Sequence, residues 1–151
     1  MIRRRAILNA LIIFCALLLN GCSWIVRFHV VNNSATPRSL EIQLSKDSDS
    51  FLIFDPRHFS LLPWSDGPDY EHERRIPQRW RETFTIEIPP HSALSIGRLN
   101  NDKYDNNRQR FINGRIFNLV RLRAGQTEVT RETFDQHFRK TSAGIVWELP
   151  D

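Results

Sequence analysis

RSLEIQLS, residues 38–45, sets Leu40, Ile42 and Leu44 at alternate positions, with Ser39, Glu41 and Gln43 between them. A period of two is that of a pleated strand with one face in a core and the other in solvent; a helix would repeat every 3.6 residues. The rhythm recurs on both sides. Upstream, WIVRFHVVN (24–32) alternates Val26, Phe28 and Val30 with Arg27, His29 and Val31. Downstream, TFTIEI (83–88) turns Phe84, Ile86 and Ile88 inward, and 93–99 carries Leu94 and Ile96. Between these runs, Asn32-Asn33-Ser34 with Pro37, and Pro89-Pro90-His91-Ser92, are turn chemistry.

Further strand material lies at FLIF (51–54), at 111–123 with Ile116, Val120 and Leu122 at even spacing, at 126–130, and at 144–149, where Ile145, Trp147 and Leu149 alternate with Val146 and Glu148. Phe134 and Phe138 stand four apart, which predicts one short amphipathic helix within 130–140. About seven short strands without βαβ spacing predict an all-β fold, an antiparallel β-sandwich. It is immunoglobulin-like in general architecture, though the Cys…Trp…Cys framework of that class is missing. No internal repeat is visible.

The chain of 151 residues has a formal charge of +4. Arg3, Arg4 and Arg5 supply three of its 21 basic side chains, and the 18 that remain stand against 17 acidic ones. A near-neutral domain offers no clustered basic surface of the kind nucleic acid requires. After these arginines, Ala6–Leu19 is a 14-residue apolar run broken by Asn9. As a helix it would cover about 21 Å, short of the roughly 30 Å of a bilayer core. A short basic start and a run of this length fit a secretory signal.

Leu19-Asn20-Gly21-Cys22 follows at once. It resembles the lipobox of bacterial lipoprotein precursors: Leu three before the cysteine, a small residue just before it, then the cysteine whose thiolate can take a diacylglyceryl group. The resemblance covers about 22 residues. It implies that residues 1–21 are a signal peptide removed between Gly21 and Cys22, and that Cys22 is lipidated. Residues 22–151 would then be a single lipid-anchored domain, with the covalent acyl lipid as its sole non-protein group and the membrane as one partner. Ser23, where Asp would favour retention in the inner membrane, leans the expectation toward the outer membrane, on its periplasmic face or at the cell surface. Cys15 leaves with the signal, so Cys22 is the one thiol of the mature chain and no intrachain disulfide forms. A strand beginning near Trp24 leaves almost no tether, which places the domain close to the bilayer, with Trp24 either at the lipid interface or in the core.

Residues 55–81 break the alternation. They hold four prolines, the aromatics Phe59, Trp64, Tyr70 and Trp80, and a dense run of charge, and they read as one long loop. Trp64, Tyr70 and Trp80 are the candidate partner-binding residues, because rigid aromatics bury much area at low entropic cost. The competing reading is that they cover an open end of the sandwich. The cluster Asp66, Asp69, Glu71, His72 and Glu73 has oxygen and imidazole donors but matches no metal-binding spacing, and Arg74 and Arg75 would compete for its carboxylates. Asn101, Asp102, Asp105 and Asn106 lack the glycine and distal glutamate of a calcium loop. His29 falls on the polar side of its strand and His91 in a turn, so both read as surface histidines; Ser60 and Ser92 read as loop serines. No catalytic motif is present: no GxSxG, HExxH, P-loop or CxxC. These observations favour a non-enzymatic envelope lipoprotein, a binding or assembly module whose partner is another envelope protein. The alternative is a small envelope enzyme, or a metal- or glycan-binding protein, using the 64–80 loop.

Overall fold

In the computed structural model of the protein, residues 25–45, 53–100 and 117–150 are described. The lipobox, Trp24 and the 100–110 loop candidates Asn101, Asp102, Asp105 and Asn106 lie outside them. Ten strands are present among the described residues: β1 Ile25–Asn32, β2 Arg38–Leu44, β3 Ser60–Pro63, β4 Arg74–Arg75, β5 Thr83–Ile88, β6 Ser92–Asn100, β7 Leu119–Ala124, β8 Thr127–Thr130, β9 Arg139–Thr141 and β10 Gly144–Glu148. They form a sandwich of two sheets, one of order β4-β3-β6-β1-β10-β9 and one of order β5-β2-β7-β8. Neighbouring strands are antiparallel except β1 and β10, which run parallel with Phe28 opposite Ile145 and Val30 opposite Trp147. No helix among the described residues is long and apolar enough to cross a membrane.

The alternation expected of β1, β2, β5 and β10 sends Phe28, Val30, Leu40, Ile42, Phe84, Ile86, Ile145 and Trp147 into one inter-sheet core. Each large apolar side chain taken fully out of water there contributes about 1.5–3 kcal/mol. A chain of aromatic contacts runs through this core: Phe28 edge-on to Phe54, Phe54 to Phe117, Phe117 to Phe134, and Phe134 stacked on Phe138 at 4.3 Å. The helix expected within 130–140 is a single turn, α1 Phe134–His137. Phe134 and Phe138, the residue after the turn, close the side of the sandwich where the chain passes from β8 to β9. On the opposite side the passage from β4 to β5 does the same with Ile76 and Trp80, both packed against the core.

Three local expectations fail for identifiable reasons. Ile53 and Phe54 of FLIF are in the core but form a bend, because Asn118 takes their backbone instead of a neighbouring strand: its Nδ2 donates to Phe54 O at 2.9 Å, and Phe54 N donates to its Oδ1 at 3.1 Å. Val120 and Leu122 do not share a face. The β2–β7 register skips a residue, so Val120 is exposed while Leu119 and Leu122 are buried, the effect of a β-bulge. Residues 55–81 are not one loop. They contain β3, β4 and two one-turn 3-10 helices, Pro56–His58 and Tyr70–His72, and they supply one edge of the six-stranded sheet.

Candidate functional site

The outer face of the six-stranded sheet is built from Arg27, His29 and Val31 of β1, Ser60 and Leu62 of β3, Ala93 and Ser95 of β6, and Val146 of β10. Alternation alone would leave this face in water. Instead the chain doubles back after β3 and lays residues 64–73 over it. Trp64 N donates to His91 O at 2.8 Å and Asp69 N donates to Pro63 O at 3.0 Å, which pins the start of this flap. The Asp69 carboxylate caps the turn that follows by accepting from the backbone N–H of Glu71 and His72. Under the flap, Val31, Leu62, Ala93, Val146 and Trp64 make a second, smaller apolar cluster, separate from the inter-sheet core.

Beside that cluster is a polar one. Arg27 Nη1 donates to both carboxylate oxygens of Glu73, at 2.8 and 2.9 Å, and Ser60 Oγ donates to Glu73 Oε1. The Arg27 guanidinium lies 4.6 Å from the centre of the Tyr70 ring, a cation–π distance. His29 is 0% exposed, with Nε2 at 3.3 Å from Tyr70 OH and its ring 5.4 Å from that of Trp64. Its Nδ1 is buried with no hydrogen-bond partner among the described residues. Tyr70 itself remains 44% exposed, so the phenol ring sits on the cluster with one side in solvent.

This environment fixes the charge states. Burial, and then the nearby Arg27, lower the His29 pKa to about 4, against a smaller upward pull from Glu73. Burial raises the Glu73 pKa, but the Ser60 hydrogen bond and Arg27 outweigh it and hold the carboxyl below its ordinary value. Burial raises that of Tyr70. At neutral pH the cluster therefore holds a neutral imidazole, a neutral phenol and one internally neutralised ion pair.

The three aromatics singled out from sequence part company here. Trp64 and Tyr70 both contact His29 on the outer face. Trp80 packs half-buried against the inter-sheet core, with Nε1 buried and unpartnered among the described residues. His29 and Ser60, read from sequence as a surface histidine and a loop serine, are buried strand residues of the outer-face cluster. The signal that could have found them is the apolar residue on the supposedly wet face of each strand: Val31 on β1, Leu62 on β3 and Val146 on β10.

The acidic run also resolves. Arg74 and Arg75 do not take its carboxylates; they form β4, and the cation that reaches Glu73 comes from β1. Asp69 pairs with His72 Nδ1 at 2.7 Å, which lowers its pKa. Among the described residues no three His, Cys, Asp or Glu side chains come together as a metal site. His91 is exposed in its turn at φ 47°, and Ser92 Oγ donates to Pro90 O. His58 lies 3.3 Å from Asp55, whose carboxylate is held below its usual pKa by Arg57 against the opposing effect of burial. No family model, no curated protein and no solved structure matches the chain.

Proposed function

We propose that the protein is an envelope lipoprotein, cleaved between Gly21 and Cys22 and lipidated on Cys22, whose β-sandwich is a non-enzymatic binding or assembly module of the outer membrane. The single observation that carries this reading is the flap: residues 64–73 are pinned across the outer face and present Tyr70 to solvent on a rigid base. Arg27 on the ring and His29 at the hydroxyl restrict the side chain before any partner arrives. A pre-ordered, half-exposed tyrosine is the kind of anchor that protein interfaces use. Burial and pairing support the non-enzymatic part. An acid–base catalyst works best with a pKa near the operating pH; His29 sits at about 4, and Glu73 is lowered and bonded to Arg27 and Ser60. The partner this reading calls for is another envelope protein, not a nucleic acid.

The test is photo-crosslinking in cells from an unnatural residue at Tyr70, with Trp80 as the internal control. A recurrent protein adduct from position 70 and none from position 80 is expected. Adducts at equal yield from both, or none from 70, would remove the flap as the docking surface.

A further inference from the structure

The sandwich has two ends of opposite character. At one end the connections are short. Asn32 Nδ2 donates to Thr36 O, Ile88 O and Pro89 O at 2.8–3.0 Å and so ties the β1–β2 turn to the β5–β6 turn. Trp64 N–H joins the flap to the same place through His91 O. The charged side chains of these turns (33–37, 64–69, 89–92 and 124–126) are Asp66 and Asp69; none is Lys or Arg. At the other end begins β1, with Ile25 opposite Asn100, the last residue of β6. Ser45, which follows β2, and Asn118, which precedes β7, lie at the same end. Ser45 N donates to Asn118 O at 2.9 Å, and Ile53 passes so close to Gly97 that a Cβ there would meet Ile53 O at 2.8 Å. Residues 78–82 cross the same end, tied by Gln78 N–H to Pro56 O and by Glu82 O to Leu44 N–H.

Among the described residues this second end carries exposed arginines and an exposed apolar residue. Arg79, Arg81 and Arg98 are exposed on it, beside Glu82 and the Arg57–Asp55 pair. Ile25 is 59% exposed, the most exposed large apolar residue among those described. Three peptide steps separate it from Cys22, a reach of at most roughly 11 Å. Whatever lipid Cys22 carries, this end of the sandwich cannot leave the bilayer surface by more than that.

We infer that the Ile25 end of the sandwich is a membrane-contacting surface, with Ile25 in the lipid interface and Arg79, Arg81 and Arg98 against the phosphates of anionic headgroups. The inference rests on lipidation of Cys22 and adds to it a fixed orientation. An apolar side chain at the interface and cations at the headgroups each favour contact, and each Arg near an anionic surface adds to it. The outer face with its flap then stands beside the membrane, Tyr70 over Arg27 near the Ile25 end and the 64–69 and 89–92 turns farthest from the lipid.

The experiment uses the full chain, processed in a host envelope and reconstituted into phosphatidylcholine vesicles with and without phosphatidylglycerol. A fluorophore is placed by Ser142→Cys in the β9–β10 turn at the Ile25 end, or by Asn33→Cys at the far end, and read with a headgroup-attached lipid quencher. Quenching at 142 and not at 33, greater with phosphatidylglycerol, is expected. Reversal of Arg79, Arg81 and Arg98 to Glu should lower the apposed population by roughly fivefold for each arginine in contact, while circular dichroism and vesicle co-sedimentation stay unchanged. The mass of the Cys22 peptide separates the two ideas. An unlipidated Cys22 overturns the anchor and the orientation with it. A lipidated chain quenched at 33, equally at both positions, or at neither, overturns the orientation alone and leaves the anchor standing.

Discussion

The two sheets treat their outer faces differently. That of the four-stranded sheet is an ordinary wet surface: Glu41 accepts from Arg121 at 2.9 Å and Arg123 at 3.1 Å, Glu128 lies 3.6 Å from Arg121, and Val120 is exposed. That of the six-stranded sheet carries a third layer, with His29 and Val31 fully buried beneath residues 64–73. The inward faces follow one rule and the outward faces two. A strand's alternation says which side chains are paired with which face; it does not say whether a later segment will return to cover the second face.

The difference can be broken most severely at glycine. Gly144 has φ 129°, and a Cβ there would lie 2.5 Å from Arg27 O, so Gly144→Val should pry β10 from β1 and cost about 4 kcal/mol or more. Its counterpart on the other sheet, Gly125→Ala at φ 59° with open space around it, should cost about 1–2 kcal/mol. Denaturant midpoints of the two variants measure both.

Acid should open the two faces unequally. His29 binds its proton near pH 4 in the fold but near 6.5 in the unfolded chain, so the unfolded state holds more protons between these values. Stability is therefore full above pH 6.5 and falls as the pH drops toward 4, by up to about 3 kcal/mol. The strands of the four-stranded sheet contain no histidine. Amide exchange in β3, β4 and the flap should accelerate in this window before that in β2 and β5. His29→Leu should flatten the dependence; an unchanged slope in that variant would assign the acid sensitivity elsewhere.

Neutralising one carboxylate on each face sharpens the contrast. Glu73→Gln leaves Arg27 without its anion and weakens the acceptor for Ser60, a loss of about 1–2 kcal/mol. Glu41→Gln, in an exposed network, should cost under about 1 kcal/mol. The smallest effect is expected of Tyr70→Phe. It removes one 3.3 Å contact to His29, should cost about 0.5–1 kcal/mol in thermal unfolding, and should leave any crosslinking partner bound, because the ring supplies the contact area.

Much of the fold is legible in single strands. Leu40, Ile42 and Leu44, or Phe84, Ile86 and Ile88, declare their facing by spacing, and Phe134 with Phe138 announce a helical turn. What spacing cannot carry is the long-range partner. Nothing in the neighbourhood of Arg27 names Glu73, and nothing around His29 names Tyr70 forty-one residues on. The strands on either side of the flap are too short in regular pattern to read as strands: β3 has four residues and β4 two. The division of labour among Trp64, Tyr70 and Trp80 is set by which sheet edge each follows, and that emerges only once β3 and β4 are in place.

The parallel pairing of β1 with β10 also governs how the molecule comes to be folded. Phe28 and Ile145 stand opposite each other, more than a hundred residues apart in the chain. Loop closure over such a span must precede the contacts that reward it, and topologies dominated by such pairings fold slowly. The strand that emerges early from a ribosome waits for one that emerges late. During that interval the edge of β1 that β10 will occupy stays open, its backbone groups unpaired on that side.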